Sequence, residues 1–150
     1  MSAVLISACL LGVCCRYDGE SHPCEVLKDL PESLHLIPVC PEQLGGLPTP
    51  RTPAERRGHA VITREGSDVT EAYRAGALEV LRLARRFDCH AAILKERSPS
   101  CGCGEIYDGS FTHTLIHGDG VTAELLKSFG FRIYGESRIH ELLSDAEPKK

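Results

Sequence analysis

Short, mainly apolar runs set the terms for what this chain can fold into. Val4–Ser7, Leu34–Val39 and Ala91–Leu94 are too brief for helices. They lack the polar alternation of a half-exposed strand, as strands buried on both faces of a parallel sheet do. Each is followed at once or after a short loop by a cysteine: Cys9, Cys40 and Cys101. Parallel strands have their carboxyl ends on one edge of the sheet, so thiols distant in sequence converge there, at the edge where open α/β sheets bind ligands.

The intervening segments support that organisation. Gly12 to Gly19 reads as an irregular loop, and Glu25 to Leu30 as a helical turn stopped by Pro31. Pro41 to Pro53, rich in Pro and Gly, reads as a loop over the site, and Ala60–Thr63 as an edge strand. From about Val69 to Phe87 the apolar residues Ala72, Tyr73, Gly76, Val80, Leu83, Ala84 and Phe87 fall on one helical stripe, with Asp68 as N-cap and Glu71 as its capping-box partner. Lys95 to Gly109 is a polar loop carrying two cysteines. A helix starting at Gly120, with Asp119 as its cap, ends at Gly130; Phe131–Tyr134 is a strand and Arg138–Leu143 a last helix. The alternation predicts a single α/β domain over residues 1–146, with a Rossmann-like, doubly wound, mostly parallel sheet flanked by helices, and a disordered tail at 147–150.

Charge and apolar runs exclude several function classes. A formal charge of −4 gives no field for holding a polyanion, so nucleic-acid binding is not expected, although Arg51, Arg56, Arg57 and Arg64 are close enough in sequence to form a local patch. No run approaches the roughly 18 apolar residues of a membrane helix. Leu5-Ile6-Ser7-Ala8-Cys9 imitates the end of a lipoprotein signal, but no Lys or Arg precedes it and the apolar stretch is too short. The chain is therefore expected in the cytoplasm, where its eight cysteines would be reduced and available to a metal rather than paired in disulfides.

The thiols differ in their settings. Cys89, between a helix and a strand, fits inert packing, and Cys14, Cys15 and Cys24 have no assignable role. Cys9, Cys40 and Cys101 each border a Gly-containing loop whose amides can approach sulfur, and three thiolates favour an iron–sulfur cluster or zinc. Their spacing matches neither a zinc ribbon nor a ferredoxin run, and Cys103 is a further candidate, as replacement for Cys101 or as a fourth ligand. Arg51, Lys95 and Arg97 are weaker candidates for holding an anion. Asp18 and Asp108 read as turn residues, and His22, His59 and His113 as surface residues.

Three separated motifs occur in order: Ser7-Ala8-Cys9-Leu10-Leu11-Gly12 with Cys15-Arg16-Tyr17-Asp18-Gly19; Pro38-Val39-Cys40-Pro41-Glu42 with Gly45-Gly46-Leu47-Pro48-Thr49-Pro50-Arg51; and Leu94-Lys95 with Ser98-Pro99-Ser100-Cys101-Gly102 and Ile106-Tyr107-Asp108-Gly109. With Gly118-Asp119-Gly120-Val121-Thr122, they resemble the bacterial thiouracil desulfurase (desulfidase) family over nearly the whole chain. The resemblance implies a [4Fe–4S] cluster held by three cysteines, here Cys9, Cys40 and Cys101, with one iron open to the sulfur of a small thiolated pyrimidine. It also implies an acid–base carboxylate, matched by Glu42, and a serine, matched by Ser100 in preference to Ser98. The chain departs from the pattern at Cys103, where a small or polar residue is expected.

The implied chemistry is physically coherent. A soft thiocarbonyl sulfur suits an open iron, which draws electron density from the carbon so that water can attack it with a carboxylate as base. Sulfur leaves as hydrosulfide with no net redox change. The alternative readings are an iron–sulfur or zinc-binding sensor, and a sulfur carrier that does not hydrolyse thiobases.

Overall fold

Alternate residues of the apolar runs face opposite ways, and both faces of the sheet they form are covered. The computed structural model describes residues 2–146; the tail 147–150, expected to be disordered, lies outside the described residues. In order along the chain are β1 (Ser2–Ser7), β2 (Leu34–Val39), α1 (Pro41–Leu44), β3 (Ala54–Arg57), β4 (Ala60–Thr63), α2 (Thr70–Arg86), β5 (Ala91–Leu94), β6 (Glu105–Tyr107), β7 (Leu115–His117), α3 (Val121–Ser128), β8 (Arg132–Gly135) and α4 (Ile139–Ala146). Strands β2, β1, β5 and β8 lie side by side in that order, all parallel. Val4, Ile6 and Ile93 pack on one face with Ile139 and Leu142 of α4. Leu5, Ala92 and Leu94 pack on the other with Val80 and Ala84 of α2 and Leu126 of α3. The Rossmann-like, doubly wound expectation therefore holds.

The strand order also locates the site. From β1 the chain moves outward to β2 and then returns to the far side of β1 to form β5. The winding direction thus switches between β1 and β5, and the loops leaving their carboxyl ends part to open a crevice. Among the described residues no helix is long and apolar enough to cross a membrane.

Five local expectations are corrected. Ala60–Thr63 does not edge the main sheet; it pairs antiparallel with β3 in a separate hairpin. The polar segment after β5 contains β6, which pairs with β7 in a second hairpin. The loop at Pro41 begins as the short helix α1, because Pro41 at its first turn gives up no hydrogen bond there. Val69 rather than Asp68 is the N-cap of α2; Asp68 still accepts from Thr70 N at 2.9 Å, while Glu71 pairs with Arg74 instead of closing a capping box. Gly120, not Asp119, caps α3, and Asp119 accepts from Gly104 N and Lys127 Nζ.

Gly76 lies mid-helix in α2 because α1 crosses against it. A Cβ there would stand 1.8 Å from the Pro41 carbonyl oxygen, and one on Gly45 would stand 2.0 Å from that of Ala72. Alanine in place of glycine ordinarily stabilises a helix interior by about 0.5–1 kcal/mol. Here the sign reverses: Gly76→Ala is expected to lower the unfolding free energy by about 1–3 kcal/mol through overpacking, measured by urea denaturation.

Candidate active site

The crevice is a cavity of about 310 Å³ bordered by Cys9, Cys40 and Cys101. Each thiol arrives by a different local rule. Cys9 sits in a 3₁₀ turn, Ala8–Leu11, that begins as β1 ends. Cys40 is the N-cap of α1, and its thiol donates to the Cys15 carbonyl at 3.7 Å. Cys101 belongs to a loop seated on the start of α3: Val121 N and Thr122 N donate to the carbonyls of Pro99 and Ser100 at 2.9 and 2.8 Å, using helix amides that have no partner within the helix.

Two buried hydroxyls hold Cys101. Ser100 Oγ donates to its sulfur at 3.6 Å. Ser7, at the end of β1, accepts from Lys95 N at 2.9 Å and donates to the same sulfur. Burial pushes the Cys101 thiol up to about 12 against these hydrogen bonds. Contact with Cys15 and then burial push Cys40 up strongly. These thiols are therefore protonated in the metal-free protein, and loading a metal must release protons.

Glu42, in the first turn of α1, borders the cavity beside Cys40. Both its oxygens are held from behind. Oε2 accepts from Arg51 Nη2 at 2.9 Å, and Oε1 accepts a short hydrogen bond from the Tyr73 hydroxyl of α2. The Arg51 and Glu42 side chains are 6% and 16% exposed, so water screens the pair little. Arg51 also donates to the carbonyls of Cys15 and Pro48. It fastens three segments around Glu42 rather than holding an anion in the cavity, as the sequence had suggested. Burial, then the Glu42 charge, keeps the Tyr73 hydroxyl protonated, hence a donor.

Of the two candidate serines, Ser100 is fully buried and not among the cavity residues, whereas Ser98 borders the cavity. Their hydroxyls are 3.0 Å apart, so the two act as a pair with Ser98 outermost. Cys103 is not among the cavity residues either, and its thiol lies against Lys127. Cys89 is packed in the core as expected. Asp18 and Asp108 each accept an amide two residues on, as turn residues do. Arg56, one of the four arginines that could form a local patch, is buried and spent internally on Gly58, Asp119 and Glu124.

Several site residues escaped the sequence reading. Cys15 is buried at the cavity, its thiol in hydrogen-bond contact with Cys40 and Cys9. On balance that thiol is raised: the Cys40 contact lowers it, and the Cys9 contact and burial outweigh this. Tyr73 was visible only as one member of an apolar stripe. His113 borders the cavity instead of open solvent alone, together with Phe111. No local pattern announces these contacts, which arise from the packing of distant loops.

Among the described residues no three His, Cys, Asp or Glu side chains converge closely enough to hold a single metal ion. A polynuclear cluster takes its thiolates on different irons, so separated soft donors facing a cavity fit it.

Comparison with known proteins agrees with this geometry. Residues 4–138 match the family model described as 2-thiouracil desulfurase. The uncharacterized protein YbbK of Bacillus subtilis (strain 168) is 42% identical, over 93% of this chain and 99% of its own length. The solved structure of TudS (DUF523Vcz), described as a [4Fe–4S]-dependent thiouracil desulfidase, superposes with a TM-score of 0.91 at 41% identity, covering 97% of each chain.

Proposed function

The chain belongs to the 2-thiouracil desulfurase family, and on that premise we propose that it is an iron–sulfur-dependent desulfidase converting a small thiolated pyrimidine to its oxo form with release of hydrosulfide. The observation that carries this reading is the meeting of Cys9, Cys40 and Cys101, from three different strand ends, on one cavity with Glu42. Those three thiolates would hold a [4Fe–4S] cluster. When bound, the cluster supplies a soft Lewis acid that polarises a thiocarbonyl.

The protein's own groups do the rest. Glu42, held on both oxygens by Arg51 and Tyr73, presents a fixed carboxylate at the cavity and takes a proton from the attacking water. The oxygen of that water forms the new carbonyl. Ser98, backed by Ser100, supplies a hydroxyl at the cavity wall for proton delivery to the departing sulfur. Ser7 and Ser100 hold the Cys101 sulfur in place. The reaction consumes one water, yields one hydrosulfide and moves no net electrons.

That stoichiometry is directly testable. In water labelled with ¹⁸O, the uracil formed from 4-thiouracil is expected to carry one labelled oxygen for each hydrosulfide released, without any electron donor. Dependence of turnover on a reductant would contradict the hydrolytic scheme.

A further inference from the structure

Among the described residues, four non-glycine positions have left-handed backbone: Asp88, Arg97, Phe111 and His113, with φ of 54°, 68°, 59° and 59°. Three of them, Arg97, Phe111 and His113, border the cavity. This conformation is uncommon for a side chain as bulky as phenylalanine and persists only where the surroundings impose it, commonly at ligand clamps.

The imposing contacts are visible in the turn between β6 and β7. Gly109 N and Phe111 N both donate to Glu55 Oε1 at 3.0 Å, anchoring the turn to β3. Asp108 N donates to the Thr114 carbonyl across its base. The hydroxyls of Ser110, Thr112 and Thr114 form a chain, 2.6 and 2.8 Å apart, that begins on Asp108. The even-numbered side chains are thus spent holding the turn. The odd-numbered ones, Phe111 and His113, are left to the cavity. Arg64 lies over the Phe111 ring, 5.6 Å from its centroid, and Tyr107 meets the His113 ring edge-on. Both rings are fixed by neighbours that themselves border the cavity.

We propose that Phe111 and His113 form the wall that receives the substrate's pyrimidine ring, Phe111 by stacking on it and His113 by hydrogen bonding its polar edge. This inference rests on the desulfidase reading and names the specificity determinants of the same site. A planar, polar-edged heterocycle is what such a wall fits, because an aromatic face binds any base ring and the imidazole selects by hydrogen bonding. The thiol side of the cavity then fixes which edge of the ring carries sulfur.

The test compares wild-type protein with Phe111→Leu, which keeps bulk and loses the aromatic face, and with Phe111→Tyr, which retains it. With anaerobically reconstituted enzyme, Phe111→Leu is expected to raise KM for 4-thiouracil about tenfold, the order expected for one stacked base, with kcat nearly unchanged, while Phe111→Tyr stays near wild type. Binding is read separately from turnover by ¹⁹F NMR of 5-fluorouracil, which has no sulfur. Its line should broaden with wild-type and Phe111→Tyr protein and sharpen with Phe111→Leu and His113→Ala. An unchanged KM and unchanged line broadening in Phe111→Leu, or no broadening with wild-type protein, would overturn the wall. Failure of wild-type enzyme to release hydrosulfide contradicts the desulfidase reading instead, and the ¹⁹F comparison still decides whether these residues bind the ring.

Discussion

Alanine at Cys9, Cys40 or Cys101 is expected to leave a folded protein that no longer retains about four irons per chain after anaerobic reconstitution and no longer releases hydrosulfide from thiouracil. Each of the three thiols follows a separate strand, and all three border the cavity. Cys103→Ala is the informative contrast. Its thiol rests against Lys127 and it does not border the cavity, so iron content, absorption spectrum and turnover are expected to match wild type. Loss of the cluster in Cys103→Ala with retention in Cys101→Ala would exchange their roles. Cys15, buried against Cys40 and Cys9, marks the limit of this logic: nearness alone would make it a ligand candidate.

The second large effect is at the carboxylate. Glu42→Gln preserves the shape of the side chain and its position in the first turn of α1 while removing the base, so kcat is expected to fall by about 10²–10⁴-fold with iron content and spectrum intact. Tyr73→Phe should give a smaller loss, because it removes one of the two groups holding Glu42 and leaves the Arg51 pair. Steady-state kinetics on the loaded enzymes, with iron counted in each, separates these outcomes. A Glu42→Gln enzyme turning over near the wild-type rate would remove the carboxylate from the mechanism.

Much of this architecture is legible in the sequence. The buried strands carry apolar residues on both faces and the long helix carries a continuous stripe, so hydrophobic periodicity alone indicated a parallel, doubly wound sheet and directed three cysteines to its carboxyl edge. What remained hidden was of a different physical kind. The strands Ala54–Arg57, Glu105–Tyr107 and Leu115–His117 are short and carry charged or polar residues, and they are strands only because a partner across a turn completes their hydrogen bonds. The helix caps were displaced by one residue, since Asp68 and Asp119 serve neighbouring amides and Lys127 rather than the cap position itself. The partners of Glu42 come from an arginine in a Pro/Gly-rich loop and a tyrosine on a helix stripe, and only the close crossing at Gly45 and Gly76 brings that helix to α1. The serine pair shows the same limit. Sequence resemblance singled out Ser100, while the packing against α3 buries it and leaves Ser98 at the cavity.

The measurement that tests the central claim most directly is hydrosulfide release from 2- and 4-thiouracil by wild-type protein reconstituted anaerobically with iron and sulfide, with metal content determined on the same sample. The account predicts about four irons per chain and hydrosulfide formed in equal amount to uracil, over many turnovers and without an electron donor. Tight zinc with no cluster, or a fully loaded cluster that releases no hydrosulfide from either thiouracil, would contradict it.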